Sequence, residues 1–318
     1  MTAPRPRSRT LTAVALAATV VGVALAPAPV AAAPEPARAV PAAAPATVAL
    51  PAVAAPTLSR VSGADRYAVS VAASRKAFPT GSTAPVVILV SDRSRTAGYG
   101  AIPAAAATGG SVLLTAPDAL PASTAAELDR LNPARVVLVG DTTVIATAVA
   151  HAAIRYAPVV QRVGTTGPGR TSQALNRWAF GSATKAWVVT SQRATDAVAG
   201  ATAAGAHRSP VIVLDGTLGD LPPANADLLR DLGVTSVTVV GSGSSVSAGI
   251  EADLKAIVGS ANVVRASGSD PFAVTARVNA LAWPAMAPGT AYLADGRDST
   301  NGFAGALLAA RTKRPLYF

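Results

Sequence analysis

Arg60, Arg162 and Arg265 stand about one hundred residues apart, and each is followed eighteen residues later by an aromatic side chain, Phe78, Phe180 or Trp283. A guanidinium forms paired hydrogen bonds with phosphate or carboxylate. Three of them at regular intervals could hold three points along one polyanion, and linked weak sites gain avidity through effective concentration. The other use of such an arginine is an intramolecular pair, for instance Arg60 with Asp65. Asp65 and Asp196 fall where helices should begin, and a carboxylate there can cap free backbone N–H groups.

Residues suited to covalent or acid–base work are scarce. The chain has no Cys, so it has no disulfide, no thiolate nucleophile and no cysteine zinc site. His151 and His207 are its only histidines, one beside alanines within a predicted helix and the other in a polar turn, and both read as surface or capping residues. No His-x-x-x-His spacing, Gly-x-Ser-x-Gly elbow or Gly-Lys-Ser phosphate loop occurs. Gly241, Ser242 and Gly243 follow a predicted strand, but Val246 stands where a dinucleotide fingerprint needs its third glycine. A tight turn with a serine cap accounts for them better, although a helix N-terminus there could receive a phosphate or carboxylate. No catalytic, cofactor-binding or metal-binding residue is expected.

The elements that would position the arginines repeat with them. Arg60 to Tyr67 (RVSGADRY) returns as Arg265 to Phe272 (RASGSDPF), and Arg162, Val163 and Gly164 open a copy in between. Leu120 and Pro121 return as Leu221 and Pro222, and Val136 to Gly140 as Val237 to Gly241. Within a copy, aliphatic runs such as Val86 to Ser91 and Ser111 to Thr115 lack polar alternation and are separated by helical stretches, near 97–108, 123–131 and 144–156 in the first. That pattern predicts strands buried on both faces in a parallel sheet. Repeat two supplies strands at 186–190, 211–214 and 234–240. The third copy reaches Phe318 inside its second strand, so half a unit is expected there, either as part of a longer chain or leaning on a partner surface.

Ahead of the repeats, Arg5, Arg7 and Arg9 precede an uncharged run from Leu11 to Ala26 and small residues at Ala31 to Ala33 and Ala37 to Ala39. This is the layout of a secretory signal peptide, assigned to residues 1–39. Its apolar run is short of the roughly twenty residues of a stable span, so no membrane span is expected after cleavage. Residues 40–57 are rich in Ala and Pro and read as a semi-rigid spacer. Across 318 residues, 27 Lys and Arg against 17 Asp and Glu give a net charge of +10. This balance favours anionic partners. Nucleic acid is disfavoured by export and by the lack of a basic, aromatic stretch.

The composite of RVSGADRY, SVLLT (Ser111 to Thr115), DAVAG (Asp196 to Gly200), PVIVL (Pro210 to Leu214) and the two Leu-Pro pairs resembles the cell-wall-binding repeat type 2 family of bacterial surface proteins. The resemblance covers roughly residues 58 to 318. It departs from the family's pattern at Gly98 and Asn301, which stand about where the Asp of Asp-Ala-Leu-Ala is expected, and at Gly167 to Gly169, which replace Asp-Arg-Tyr. The family's Gly-Gly pair is here Gly140 with Asp141 and Gly241 with Ser242. The resemblance implies α/β units grouped in threes, attached non-covalently to anionic wall polymers.

The expected fold class is therefore α/β, as tandem Rossmann-like or flavodoxin-like units with parallel sheets, two complete repeats (58–161 and 162–264) and one partial repeat (265–318). The expected function is non-catalytic attachment of a secreted protein to an anionic cell-wall polymer or peptidoglycan-associated glycan at the cell surface. Arg60, Asp65, Arg66, Arg162, Asp196, Arg265 and Asp270 are the candidate contacts. The rival readings are a cell-wall hydrolase of the amidase type, or its targeting module, and a secreted small-ligand receptor.

Overall fold

In a computed structural model, the structure describes residues 57–165, 167–285, 289–297 and 299–318. The expected signal segment and nearly all of the spacer lie outside the described residues.

The first unit runs α1 (Arg66–Ala77), β1 (Val86–Ser91), α2 (Arg95–Gly98), α3 (Ala101–Thr108), β2 (Ser111–Thr115), α4 (Ala122–Leu131), β3 (Arg135–Val139), α5 (Thr147–Ala153) and β4 (Val159–Val163). The second repeats it with α6 (Pro168–Ala179), β5 (Lys185–Thr190), α7 (Ala194–Ala206), β6 (Val211–Leu214), α8 (Pro223–Asp231), β7 (Ser236–Val240), α9 (Ala248–Val258) and β8 (Val263–Ala266). The third comprises α10 (Pro271–Ala282), β9 (Tyr292–Leu293), α11 (Ser299–Thr312) and β10 (Leu316–Tyr317).

The sheets are wholly parallel, ordered β2-β1-β3-β4 and β6-β5-β7-β8, with β10-β9 as the half-sized third. The α/β expectation holds, and the strand order is the flavodoxin-like one, with a switch point between the first and third strands of each complete unit. β4 and β8 contain Arg162 and Arg265, so each sheet crosses the repeat boundary placed at 161/162 or 264/265. The helix expected near 144–156 shrinks to α5, because Val144 and Ile145 belong to the turn after β3, where both amides donate to Asp141 O.

Side-chain bonds show that the units are built alike. Asn176 Nδ2 donates to Val211 O and Asn279 Nδ2 to Leu316 O, each at 2.8 Å, so the same helix position pins the start of the second strand in units two and three. Ser70 and Ser172 accept from Leu114 N and Val213 N at 3.1 Å in units one and two.

The units close on one another. α6 packs on α3, α10 on α7 and α1 on α11, so the first helix of each unit lies on the second helix of the unit before it, cyclically. α3, α7 and α11 meet at the centre, in a core with Ile88, Val90, Trp187, Val189, Phe303 and Leu307. They run the same way, since Gly302 lies beside Val198 near their starts and Gly205 beside Ala310 and Ala106 near their ends. A Cβ on Gly205 would come within 2.8 Å of the Ala310 Cβ, so this spacing requires the missing side chain. The alanine content of α3 and α7 thus sets how closely the ring draws together. Separate outer cores lie under α4 and α5 in unit one and under α8 and α9 in unit two.

Candidate functional site

The loops that leave β3 and β7 are the best-defined polar structures in the molecule. Gly140 (φ +97°) and Gly241 (φ +103°) take a backbone conformation that favours glycine and turn each loop over the carboxyl edge of its sheet. Arg162 Nη1 donates to Gly140 O at 2.9 Å and Asp141 O at 2.8 Å, and Nη2 donates to Ile145 O at 2.8 Å. Arg265 makes the same three bonds one unit on, to Gly241 O at 2.9 Å and to Ser242 O and Val246 O at 3.0 Å, and adds Glu251 through Nε at 2.7 Å. Burial pushes the Arg162 guanidinium below its ordinary range, with Asp141 opposing. The bond from Lys255 holds Glu251 below its usual value, aided by Arg265 and opposed by burial.

These two arginines are therefore loop clamps, as the intramolecular reading has it, although their carbonyl acceptors are not the paired acid imagined for Arg60. Gly241, Ser242 and Gly243 are a tight turn whose carbonyls face Arg265. α9 begins only after Ser247, which caps Ile250 N at 3.2 Å, so the turn is not a helix N-terminus open to an anion. Arg60 is exposed, and among the described residues it has no polar partner.

Asp65 and Asp270 are helix caps. Each accepts at 2.8 Å from the backbone N–H three residues on, Ala68 or Ala273, and the latter bond leads in holding the Asp270 carboxyl below its ordinary value. Unit two replaces the cap with Gly167 and Pro168, a proline at the first helical position. Arg66 Nη1 and Tyr67 Oη both donate to Asp92 Oδ2 at 3.0 Å, tying the start of α1 to the end of β1. Burial, then the bond to Asp92 and its charge, raise the Tyr67 phenol.

Asp196 is only 2 % exposed, and its Oδ1 has no hydrogen-bond partner. It sits by the switch point between β5 and β7, where a Cβ on Gly241 would come within 3.1 Å of its Oδ2. Burial raises its carboxyl above the ordinary value, against the opposing pull of Arg193 and Thr195. Its counterpart in unit one is not Gly98. Gly98 matches Gly200, since a Cβ at either would come within 2.5 Å of the valine beneath, Val90 or Val189. Ser94, the residue before α2, holds the place of Asp196, and Gly302 rather than Asn301 continues the glycine series at the same spacing.

The six candidates with an assigned place, together with Arg60 by its position in the repeat, lie at the carboxyl edges of the sheets. The parallel central helices turn all three edges to the same end of the ring. Three more arginines lie there, one in the loop after each unit's first strand: Arg93, Arg193 and Arg297, all exposed. Arg297 is 92 % exposed and is held by Asp295 at 3.0 Å.

Residues 60–150 match the family described as Cell wall binding domain 2 (CWB2). This segment is a CWB2 unit. The chain is also 26% identical over 260 residues to the N-acetylmuramoyl-L-alanine amidase LytC of Bacillus subtilis, covering 82% of this chain and 50% of that protein. It is 29% identical over 220 residues to the amidase enhancer of the same organism, covering 69% of this chain and 29% of the other. Among solved structures it resembles Cwp6 from Clostridium difficile, with TM-score 0.74 and 25% identity over 81% of this chain and 40% of that one. Cwp8 gives 0.72 and 24% over 80% and 44%. The chain thus spans half or less of each of these relatives. The likeness extends well past the first CWB2 unit, as the ring of three units requires.

Arg93, Arg193 and Arg297 were missed in the sequence because they lie two, three and four residues beyond their strands, in loops of unequal length. A search by fixed spacing passes over them. His207 is structural, with Nε2 2.8 Å from Ala282 O and its ring 5.9 Å from that of Trp283. No group of three potential metal ligands and no helix long and apolar enough to cross a membrane occurs among the described residues.

Proposed function

We propose that this protein, exported by its first 39 residues, attaches non-covalently and without catalysis to an anionic polymer of the bacterial cell wall. The observation that carries the reading is the exposed arginine that each unit sets in an equivalent loop on one face of a CWB2-type ring. Arg93, Arg193 and Arg297 offer three contacts for phosphate or carboxylate along one strand of polymer, with Arg66 and Arg60 at the rim. Arg162 and Arg265 serve this face indirectly by holding the loops after β3 and β7 in shape. The names of LytC and the amidase enhancer place similar segments in proteins concerned with peptidoglycan cleavage, which suits a module that brings a chain to the wall.

Purified protein should sediment with isolated cell walls, and rising salt should weaken the association as screening increases. The triple variant Arg93→Gln, Arg193→Gln, Arg297→Gln should fold normally and lose most of this binding. Unchanged sedimentation by the triple variant, or by walls stripped of anionic polymer, would sink the mechanism. A cleared zone on peptidoglycan zymography would favour the amidase reading instead.

A further inference from the structure

In units one and two the first strand has a neighbour on each side. β1 lies between β2 and β3, and β5 between β6 and β7. β9 has only β10, and its other edge is open among the described residues. Registers align Ile88, Trp187 and Tyr292 at one strand position and Leu89, Val188 and Leu293 at the next. Leu89 and Val188 are fully buried under the outer helices, whereas Leu293 is 76 % exposed.

Beyond the open edge stands the residue that would complete the arrangement. In the complete units the fourth strand carries the clamp arginine, and its neighbour in the sheet is the third strand, whose following loop it grips. Arg60 and Val61 are the counterparts of Arg162 with Val163 and of Arg265 with Ala266. Val61 packs with Ala73, Ala304, Leu308 and Tyr292, which puts it beside the third unit. Gly63 and Gly268 confirm the match, since a Cβ at either would lie 2.5 Å from the backbone of the following helix's first turn. The third unit therefore presents one side of a missing strand at β9, the other at Arg60–Val61, and an unused guanidinium above.

We infer that this slot binds a polypeptide segment built like β3 and its loop: an aliphatic strand that pairs in parallel with β9 and ends in a glycine turn whose carbonyls Arg60 clamps. The internal repeat specifies this occupant. Val137 and Leu138, which pair with Ile88 and Leu89, show the register, and Gly140, Asp141 and Ile145 supply the carbonyls. Strand addition at an open edge draws its affinity from main-chain hydrogen bonds and its selectivity from alternate side chains. Leu293 would then be covered by the segment's following helix, as α5 helps to cover Leu89.

The probe is a fluorescent synthetic peptide of residues 133–158, added to the full chain and followed by anisotropy. Saturable binding is expected, weakened about tenfold or more by Arg60→Ala, since hydrogen bonds to a charged group are at stake, and abolished by Leu293→Asp. Leu293 is exposed, so that variant folds. Absence of saturable binding, equal binding of a scrambled peptide, or indifference to both substitutions overturns the inference. So does a dimer that forms without peptide and disappears in Leu293→Asp, because a second copy would then be the occupant. Wall sedimentation is read separately and does not depend on this outcome.

Discussion

Val188 and Leu293 hold the same position in successive copies of one building block, yet the first is fully buried and the second is 76 % exposed. The same contrast separates Arg265, bonded to three carbonyls and Glu251, from Arg60, which faces solvent. The side chains are of similar kind in each pair. What differs is the third strand with its loop and outer helices, present beside the first member and absent beside the second among the described residues. An aliphatic strand residue becomes core, and an arginine becomes a clamp, only when a neighbour supplies the other half of the contact.

The sharpest way to break this comparison is to remove the clamps one at a time. Arg265→Met leaves three loop carbonyls and the Glu251 carboxylate without their cation, and should cost about 4 kcal/mol in urea unfolding, as for a broken partly buried pair. Arg162→Met should cost somewhat less, having no carboxylate to strand. Arg60→Met should stay within about 0.5 kcal/mol. Equal losses at all three positions would mean that Arg60 has a hidden partner.

Truncating the matched strand residues tests burial in the same way. Leu89→Ala should lose about 3 kcal/mol through lost transfer energy and a residual cavity, whereas Leu293→Ala should be near neutral. Thermal melts of the two variants suffice, and a large loss at Leu293 would contradict its exposure.

A smaller effect distinguishes Asp196 of unit two from Ser94 of unit one. Burial raises the folded-state carboxyl above its ordinary value of 3.8, so the folded protein holds a proton that the unfolded chain has released. The stabilisation is complete below 3.8 and is lost as pH rises through the elevated folded value. Asp196→Asn should flatten that decline and melt higher than the parent protein at neutral pH. An unchanged pH profile would place the carboxyl in contact with a compensating cation.

The least effect is expected from the helix caps. Asp65→Ala and Asp270→Ala should each cost about 1 kcal/mol, while Asp65→Ser retains a cap and most of the stability. Wall sedimentation of Asp65→Ser, at unchanged melting temperature, separates a capping role from polymer contact.

Much of this was legible in the residues. Val86 to Ser91 and Ser111 to Thr115 are uninterrupted aliphatic runs, which suit only a strand covered on both sides, and both are strands at those bounds. Asp65 announced its helix. Other features were hidden, because they depend on partners distant along the chain. Arg162 reads as a charge available to a ligand until Gly140 O, Asp141 O and Ile145 O are found around it. Asp196 reads as a helix-start carboxylate until α7 proves to be buried along nearly its whole length. Arg93, Arg193 and Arg297 share a place in space without sharing a spacing, since loops of different length bring them there.

The sequence by itself determined the building block, its order of helices and parallel strands, and its repetition, because hydrophobic period, turn residues and caps act over a few neighbours along the chain. Only the tertiary structure decided that α1 lies on α11 and closes the ring, that two of the three repeat arginines hold loops while the third stands open, and that three others share a face. Those outcomes rest on contacts between units, where the partner of each group is set by the packing of whole helices rather than by the residues beside it.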